Sequence, residues 1–585
     1  MNDQRNTFLA IALSLAILVG WQIFFAPPPL PPPTEPAATG AANPMTDGLS
    51  VAAPAAPATG GAPGALPGPA VTLAPPVLDR AAAVAGAGRI KIETPHVTGS
   101  LSLTGARIDD ITLTRHRETV DKSSAPIDLL SPQGAPKPYY VDLGWVSADS
   151  SLALPNAATA WSAPGNSALT ESSPLTLTWD NGAGLRFIKK ISADKDYMFT
   201  VEQTVENTSG ASVTIYPFAL VARIDKPEFF DIYLLHQGPL GVFDRTLKEV
   251  DYDELVEKNR ESVESTGGWI GITDKYWLTA VAMDPATKVS ATFSHAAVAN
   301  RSRSQTDLRG EAVQLAPGET KSITSYVFAG AKEVELLDHY SETLGISRFD
   351  LAIDFGWFYF LTKPFLYGLI WLRGFLGNFG LAILAFTVLL RLLAYPLATK
   401  QFESMSKLKK LQPEMQKLQE RHANDRMKLQ QEMMELYKKE KANPLAGCLP
   451  ILIQIPVFFA LYKVLFVSIE MRHAPFYGWI KDLSDQDPTN VWNLFGLLPF
   501  TMPDALSFMH LGAWPLIYGI TMFLQQKMNP QPADPIQAKV FMFLPIMFTF
   551  LLAAFPSGLV IYWAWSNVLG MAQQYVIMRR MGVKM

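Results

Sequence analysis

Apolar residues fall into long unbroken runs at the two ends of this chain and into short alternating segments between them. The run Phe379–Ala398, FGLAILAFTVLLRLLAYPLA, has twenty residues, enough for a helix across a bilayer. Runs at Leu449–Ile469, Leu511–Leu524, Val540–Phe555 and Gly558–Val576 predict four more spans. Phe8–Ala26 predicts a first anchor, which makes six. Arg5 precedes that run as in a secretory signal, but Pro27-Pro28-Pro29 follows it in place of a small-residue cleavage site. Leu351–Leu372 is apolar too, yet it carries Asp354, Lys363 and Pro364 among many aromatics. That mixture predicts a helix lying at the outer interface.

Between the ends the period changes to two. Arg89–Glu93, Ser100–Thr104, Leu175–Trp179 and Tyr197–Val205 alternate, and turn clusters such as Asn181-Gly182 and Asn207–Gly210 separate such segments. Short strands at this spacing predict a large antiparallel β sandwich from Arg89 to about Gly345, closed by a helix at Glu333–Leu344. Trp161, Trp179, Trp269 and Trp277 offer faces on which a sugar could stack, but core aromatics are the simpler reading. Pro27–Gly88 is rich in Ala, Pro and Gly and has no aromatic residue, so it predicts a disordered spacer.

Composition agrees with a membrane protein: 49% of the 585 residues are hydrophobic and 17% charged. The net charge of -4 says little about partners. The single cysteine, Cys448, excludes an internal disulfide and has no metal-ligand spacing around it. Charge placement is more informative. Thr399–Asn443 holds eleven Lys and Arg residues, whereas Glu470–Gly512 holds two, Arg472 and Lys481. By the positive-inside rule, Thr399–Asn443 and the tail with Arg579, Arg580 and Lys584 are cytoplasmic, and the β domain is outside. The division is then an anchor at 1–26, a linker at 27–88, a β domain at 89–345, an interfacial helix at 346–378 and a transmembrane core at 379–585.

One full charge sits within a span. Arg391 cannot neutralise itself, so it either snorkels towards the Pro396 end or faces a wet cavity. Thr387 lies one turn earlier on the same face. Gln454 precedes Pro456 in the next span, and the last span carries Tyr562, Trp563, Ser566, Asn567, Gln573 and Gln574. Each alone is ordinary helix-helix glue; together with Arg391 they predict a shared polar cavity near the cytoplasmic side. Thr399–Asn443 shows apolar residues at helical steps on both sides of His422–Asp425. It predicts a basic helical hairpin rich in methionine, including Met405, Met415, Met427 and Met433. Those methionines suit either an adaptable docking surface or the seam between two helices. No phosphate-binding loop, HExxH, GxSxG, CxxC or EF-hand pattern occurs, so no enzyme chemistry and no cofactor or metal is expected.

An ordered set of short stretches resembles the YidC/Oxa/Alb family of membrane protein insertases, in its Gram-negative form. They are Thr387–Arg391, Tyr395-Pro-Leu397, Leu411-Gln-Pro413, Gln431–Met434 with Leu436-Tyr437, Asn443–Cys448, Gln454-Ile-Pro456, Ala474-Pro-Phe476, Asp482–Ser484, Asp487-Pro488, Phe555–Leu559 and, in the β region, Gly268–Trp277. The resemblance implies a polytopic α-helical membrane protein with six transmembrane helices, five forming the core, and a periplasmic β-supersandwich. It implies a polar groove open to cytoplasm and lipid, with Arg391 as its charge and Thr387, Gln454, Ser566 and Asn567 as lining. It places Ile455 and Trp563 where substrate slides. Implied partners are nascent membrane proteins, the Sec translocon, the ribosome and signal-recognition pathway, and membrane lipid, with no nucleic acid bound directly. The short tail after Met578 weighs against tail-based ribosome docking. Two other classes compete: a channel or transporter with an anion site at Arg391, and an anchored periplasmic sugar-binding protein.

Overall fold

The computed structural model describes residues 79–86, 88–165, 168–227, 235–298, 301–422, 425–440, 449–498, 510–529 and 535–580. The expected anchor at 1–26, the linker as far as residue 78, and Asn443–Cys448 lie outside them. The end of the expected linker is ordered: Arg80–Val84 forms a short helix, α1. Asp79 caps it, accepting from the backbone N–H of Ala81 at 2.6 Å. Arg80 ties it to the sheet through Asp110 at 2.6 Å and Asp128 at 3.0 Å. These ionic contacts supply what the apolar-poor spacer composition lacks.

Strands fill the middle of the chain and form two sheets. One runs Arg260–Thr266, Lys288–Val298, Arg301–Gly310, Val213–Ile224, Tyr139–Val146, Arg107–Arg117, Val97–Ser102, Arg89–Glu93, Ala168–Thr170, with two further strands off this path. The other runs Thr246–Glu249, Gly238–Phe243, Trp269–Thr273, Trp277–Met283, Thr320–Ala331, Met198–Asn207, Leu185–Ala193, Leu175–Asp180. Pairing is antiparallel except between Arg89–Glu93 and Ala168–Thr170. Alternation drives this: Leu185, Phe187, Lys189 and Ile191 point inward, and Arg186 and Lys190 outward. Inner faces of both sheets share one core, in which Ile108, Val141 and Leu308 of the first meet Leu177, Val201 and Ile272 of the second. Trp161 and Trp269 are buried in that core, and Trp179 and Trp277 pack against it. A second short helix, α2 (Tyr252–Lys258), lies between strands, and α3 (Val334–Thr343) leaves the sheet.

Helices take over from there. They are α4 (Tyr359–Leu376), α5 (Phe379–Leu393), α6 (Tyr395–Arg421), α7 (Arg426–Lys439), α8 (Leu449–Val467), α9 (Ala513–Met528), α10 (Pro535–Ala553) and α11 (Ser557–Arg580). Among the described residues no single helix is long and apolar enough to cross a membrane; α4 and α5, bent by 119°, pass that test together. Helix α4 buries Phe365, Leu366 and Leu369 and exposes Phe360, Trp371 and Phe375. The helix expected over Phe379–Ala398 ends at Leu393, and α6 begins at Tyr395, not at Thr399. Pro396 accounts for the break, since it has no N–H and its ring opposes the carbonyl one turn back. Gly380 lets α5 approach the connector after α8, because a Cβ there would run into the Phe476 ring.

Polar contacts tie the β region to the helices. Lys463 of α8 pairs with Asp354 at 2.7 Å. Lys363 of α4 reaches Asp338 and Asp350, both at 2.8 Å. Arg472, beyond α8, donates to the carbonyls of Arg117 at 2.6 Å and Glu118 at 3.1 Å. It also lies over the rings of Tyr276 and Trp277. Glu470 accepts from the backbone N–H of Val334, the first residue of α3, at 2.9 Å.

Candidate functional site

Helix α11 is the hub on which the polar residues of the spans converge. It starts at Ser557, whose N–H donates to the Asp485 carbonyl at 2.7 Å, after the sharp turn at Phe555-Pro-Ser-Gly558. Tyr562, Ser566 and Gly570 then follow at steps of four, so they share one face. Against this face α5 brings Arg391, whose Nη2 donates to the Ser566 hydroxyl at 2.6 Å and to the Ser566 carbonyl at 2.9 Å. The Ser566 carbonyl lies within the helix, so the guanidinium shares it with the helical ladder. Among the described residues no carboxylate pairs with Arg391, and the residue is half-buried.

One turn earlier, the buried Tyr562 hydroxyl accepts from Gln454 Nε2 of α8 at 2.7 Å. On the neighbouring face Asn567 Nδ2 donates to Thr521 Oγ1 of α9 at 3.2 Å. Trp565 Nε1 donates to the Leu384 carbonyl of α5 at 3.2 Å. Four helices are thus linked through side chains of α11. Above the polar level lies an aromatic one. Trp563 stacks on Phe458 of α8 with ring centroids 5.1 Å apart and planes at 19°, and meets Tyr518 and Phe555 at 6.0 Å.

Of the residues singled out in the sequence, the structure brings Arg391 and Ser566 into direct contact and places Gln454 and Asn567 on the same hub. Thr387 is on the expected helix but is buried, and its hydroxyl turns back to the Ile383 carbonyl at 2.7 Å, away from Arg391. Ile455 is exposed beside Gln454. Trp563 joins the aromatic layer. Tyr562, one of the polar residues of its span and outside the expected lining, is what holds Gln454. Gln525 stands one residue past the apolar run Leu511–Leu524 and so carries no span signal of its own, yet helix α9 continues to Met528.

The hairpin splits its methionines. Met415 on α6 accepts from the Tyr437 hydroxyl of α7 at 3.8 Å, so it lies in the seam. Met433 is half-buried, and Met427 is 85% exposed. The Met405 side chain lies outside the described residues. His422 pairs with Glu432 at 3.0 Å across the turn, and Asp425 caps α7 by accepting from the N–H of Lys428 at 3.0 Å.

Beyond the end of α8, burial pushes the Glu470 carboxyl up to about 7, with Glu333 and Glu335 adding to the effect. Its Oε2 is buried and has no partner among the described residues. Burial likewise lowers Lys275 to about 8, where its ammonium sits 3.7 Å from the centre of the Phe466 ring. Among the described residues no group of three or more His, Cys, Asp or Glu is arranged to hold a metal ion. Chemically, then, the site offers hydrogen bonds and one positive charge.

Comparison with known proteins identifies what carries this arrangement. The 60Kd inner membrane protein family model matches residues 371–584, and the YidC periplasmic domain model matches residues 89–367. The chain is 50% identical to the membrane protein insertase YidC of Methylorubrum extorquens over 601 residues, covering 100% of this chain and 96% of that one. It is 48% identical to that of Bradyrhizobium diazoefficiens over 600 residues, covering 100% and 97%. A solved structure of an active YidC insertase with its first transmembrane domain resolved is similar at TM-score 0.35 and 17% identity, covering 84% of this chain and 93% of that chain. On the full-length identity and the two family matches together, this chain belongs to the YidC family of membrane protein insertases.

Proposed function

We propose that this insertase works by presenting a hydrated polar groove, centred on Arg391, to polar segments that must move partway across the bilayer. As a family member the chain is an inner membrane protein insertase with a periplasmic domain, not an enzyme. It acts on nascent membrane proteins in lipid. The observation that carries the groove reading is the guanidinium of Arg391. Among the described residues it is held by a hydroxyl and a carbonyl of Ser566 and by no carboxylate. Such a charge retains much of its field for an incoming group, and polar neighbours lower the desolvation cost of that group. Once the polar segment has passed, the apolar helix of the substrate partitions into lipid, which supplies the driving force without a nucleotide. Ile455 and Trp563 line the way out, with Thr387 as structural support.

In this reading six helices span the membrane, the anchor at 1–26 with α5, α8, α9, α10 and α11. Both termini and the hairpin at 399–443 are cytoplasmic. The linker at 27–88 leads to a β-supersandwich at 89–345, and the interfacial helix at 346–378 joins it to the core at 379–585. The exposed Phe360, Trp371 and Phe375 of α4 favour a helix lying along the membrane surface over half of a broken span, which weighs against a channel. The Sec translocon, the ribosome and the signal-recognition pathway are proposed partners, with the hairpin as their docking element. The test is reconstitution: purified protein in liposomes, a substrate of one or two spans, and neither Sec proteins nor ATP. Protease-protected substrate is expected. Protection no greater than in empty liposomes would overturn the reading.

A further inference from the structure

The connector between α8 and α9 carries an apolar knob that neither the groove nor the hairpin uses. Trp492, Leu494, Phe495, Leu497 and Leu498 are all exposed, Leu497 to 82%. No charged residue falls between Val491 and Pro503. A single exposed apolar side chain is ordinary, but a contiguous patch of this kind marks a contact surface.

The knob is a built element. Asn490 accepts from the N–H of Trp492 through its Oδ1 at 3.1 Å and from that of Phe495 through its carbonyl at 2.8 Å. Asn493 does the same for the next turn, with Gly496 on its Oδ1 at 2.9 Å and Leu498 on its carbonyl at 3.0 Å. These backbone donors are satisfied within the knob, which lowers the cost of taking them out of water. Leu494 (φ 50°, ψ 48°) and Phe495 (φ 58°, ψ 33°) are both left-handed, a costly conformation for bulky residues. Both side chains stay exposed, so packing among the described residues does not offset that cost.

The base of the knob is pinned where α9 begins. The N–H of Val491 donates to the Leu511 carbonyl at 2.8 Å, that of Ala513 to Thr489 Oγ1 at 3.0 Å, and that of Trp514 to Asp487 Oδ2 at 2.8 Å. The same connector meets the β domain, where the Tyr276 hydroxyl donates to Ser484 Oγ at 3.4 Å. That domain is periplasmic, so the knob stands on the periplasmic side, beside the first turn of α9.

We infer that residues 492–498 insert into the periplasmic leaflet, at the boundary between headgroups and acyl chains, and fix the depth of α9 there. Lipid fits this surface better than a protein partner does. The knob has no charged rim to set specificity or register, and lipid requires neither. Indole and aliphatic side chains partition to that boundary. The inference rests on α9 being a span, as in the reading above, and is independent of the charge at Arg391.

The test places spin labels on full-length protein in liposomes of phosphatidylethanolamine and phosphatidylglycerol. In a Cys448→Ser background, Leu497→Cys reports on the knob, Gln486→Cys on an exposed polar position of the connector, and Ile520→Cys on an exposed position of α9. Relaxation by oxygen, which concentrates in lipid, is compared with relaxation by a water-soluble nickel chelate. Positions 497 and 520 are expected to be several-fold more accessible to oxygen than to nickel, and 486 the reverse. Nickel access at 497 with oxygen access at 520 would overturn the inference alone. Nickel access at both would contradict the span as well. Access of neither probe to 497 would mean a protein cover, from a second copy or another chain, and would also overturn it. Leu494→Asp with Leu498→Asp is expected to release the label at 497 to nickel without lowering the melting temperature. A label that stays in lipid in that variant would show that the knob's own apolar groups do not hold it there, and would end the inference.

Discussion

Glu470 sits just beyond the last turn of α8, with one carboxylate oxygen on the N–H of Val334 and the other buried and unpaired among the described residues. Its carboxyl is raised to about 7 from an ordinary 4.5. A raised acid stabilises the folded state fully below its unfolded value, and that contribution is lost as pH rises through the folded one. The window here is about pH 4.5 to 7, and the loss is on the order of 3 kcal/mol. We expect the melting temperature in detergent to fall between pH 5 and pH 8. Glu470→Gln keeps the acceptor for Val334 and is expected to flatten that fall; an unchanged pH dependence in the variant would show that Glu470 is not its source. Residues differ in how far sequence exposes such roles. Arg391 stands out as a lone charge in an apolar run, and Glu470 reads only as the polar end of a span. Its burial comes from α3, more than a hundred residues earlier in the chain. Ser566 could be named as lining, but its double acceptance from Arg391 depends on how α5 packs on α11.

Elements show the same division. The hairpin was legible from its three- and four-residue apolar steps and its break at His422–Asp425. Which methionine faces inward was not, because both faces carry methionine. The structure separates them: Met415 beneath Tyr437, Met427 in solvent. Met427→Ser is expected to weaken crosslinking of the hairpin to nascent chains or targeting factors without moving the melting temperature. Met415→Ser is expected to loosen the hairpin, seen as faster proteolysis of α6 and α7. If Met427→Ser changes neither crosslinking nor proteolysis, the exposed methionine has no docking role. Helix ends were the least legible feature. The run through Phe379–Ala398 conceals a break that Pro396 imposes, and polar Gln525 hid the last turn of α9. Thr387 had the right spacing from Arg391, but the Ile383 carbonyl is nearer to its hydroxyl and took the bond.

At the scale of the whole molecule, two-residue alternation announced a β region and apolar runs announced helices. The joints between them were silent, since Lys463–Asp354 and Arg472 with the Arg117 carbonyl join residues far apart in sequence. The β region stands apart from the polar cluster on α11, so removing it is expected to leave most insertion activity. Strand pairing fixes where to cut. A deletion from about Ala106 to Arg309 would remove Arg107–Arg117, the partner of Val97–Ser102, and both Trp277–Met283 and Met198–Asn207, the partners of Thr320–Ala331, leaving those edges unpaired. Removing 89–331 and keeping Lys332 onward avoids that. Loss of insertion by a stably expressed deletion would place the active surface in the β region. The central claim is that Arg391 acts through its charge. At an intermediate dielectric its attraction to a carboxylate several ångströms away is on the order of a few kcal/mol. The most direct measurement is protease protection of two matched substrates, one with an acidic and one with a neutral translocated segment. It compares the parent protein with Arg391→Lys, Arg391→Ala and Arg391→Glu at equal expression. The account predicts Arg ≈ Lys > Ala > Glu for the acidic segment and a flatter order for the neutral one; an order that does not depend on substrate charge would contradict it.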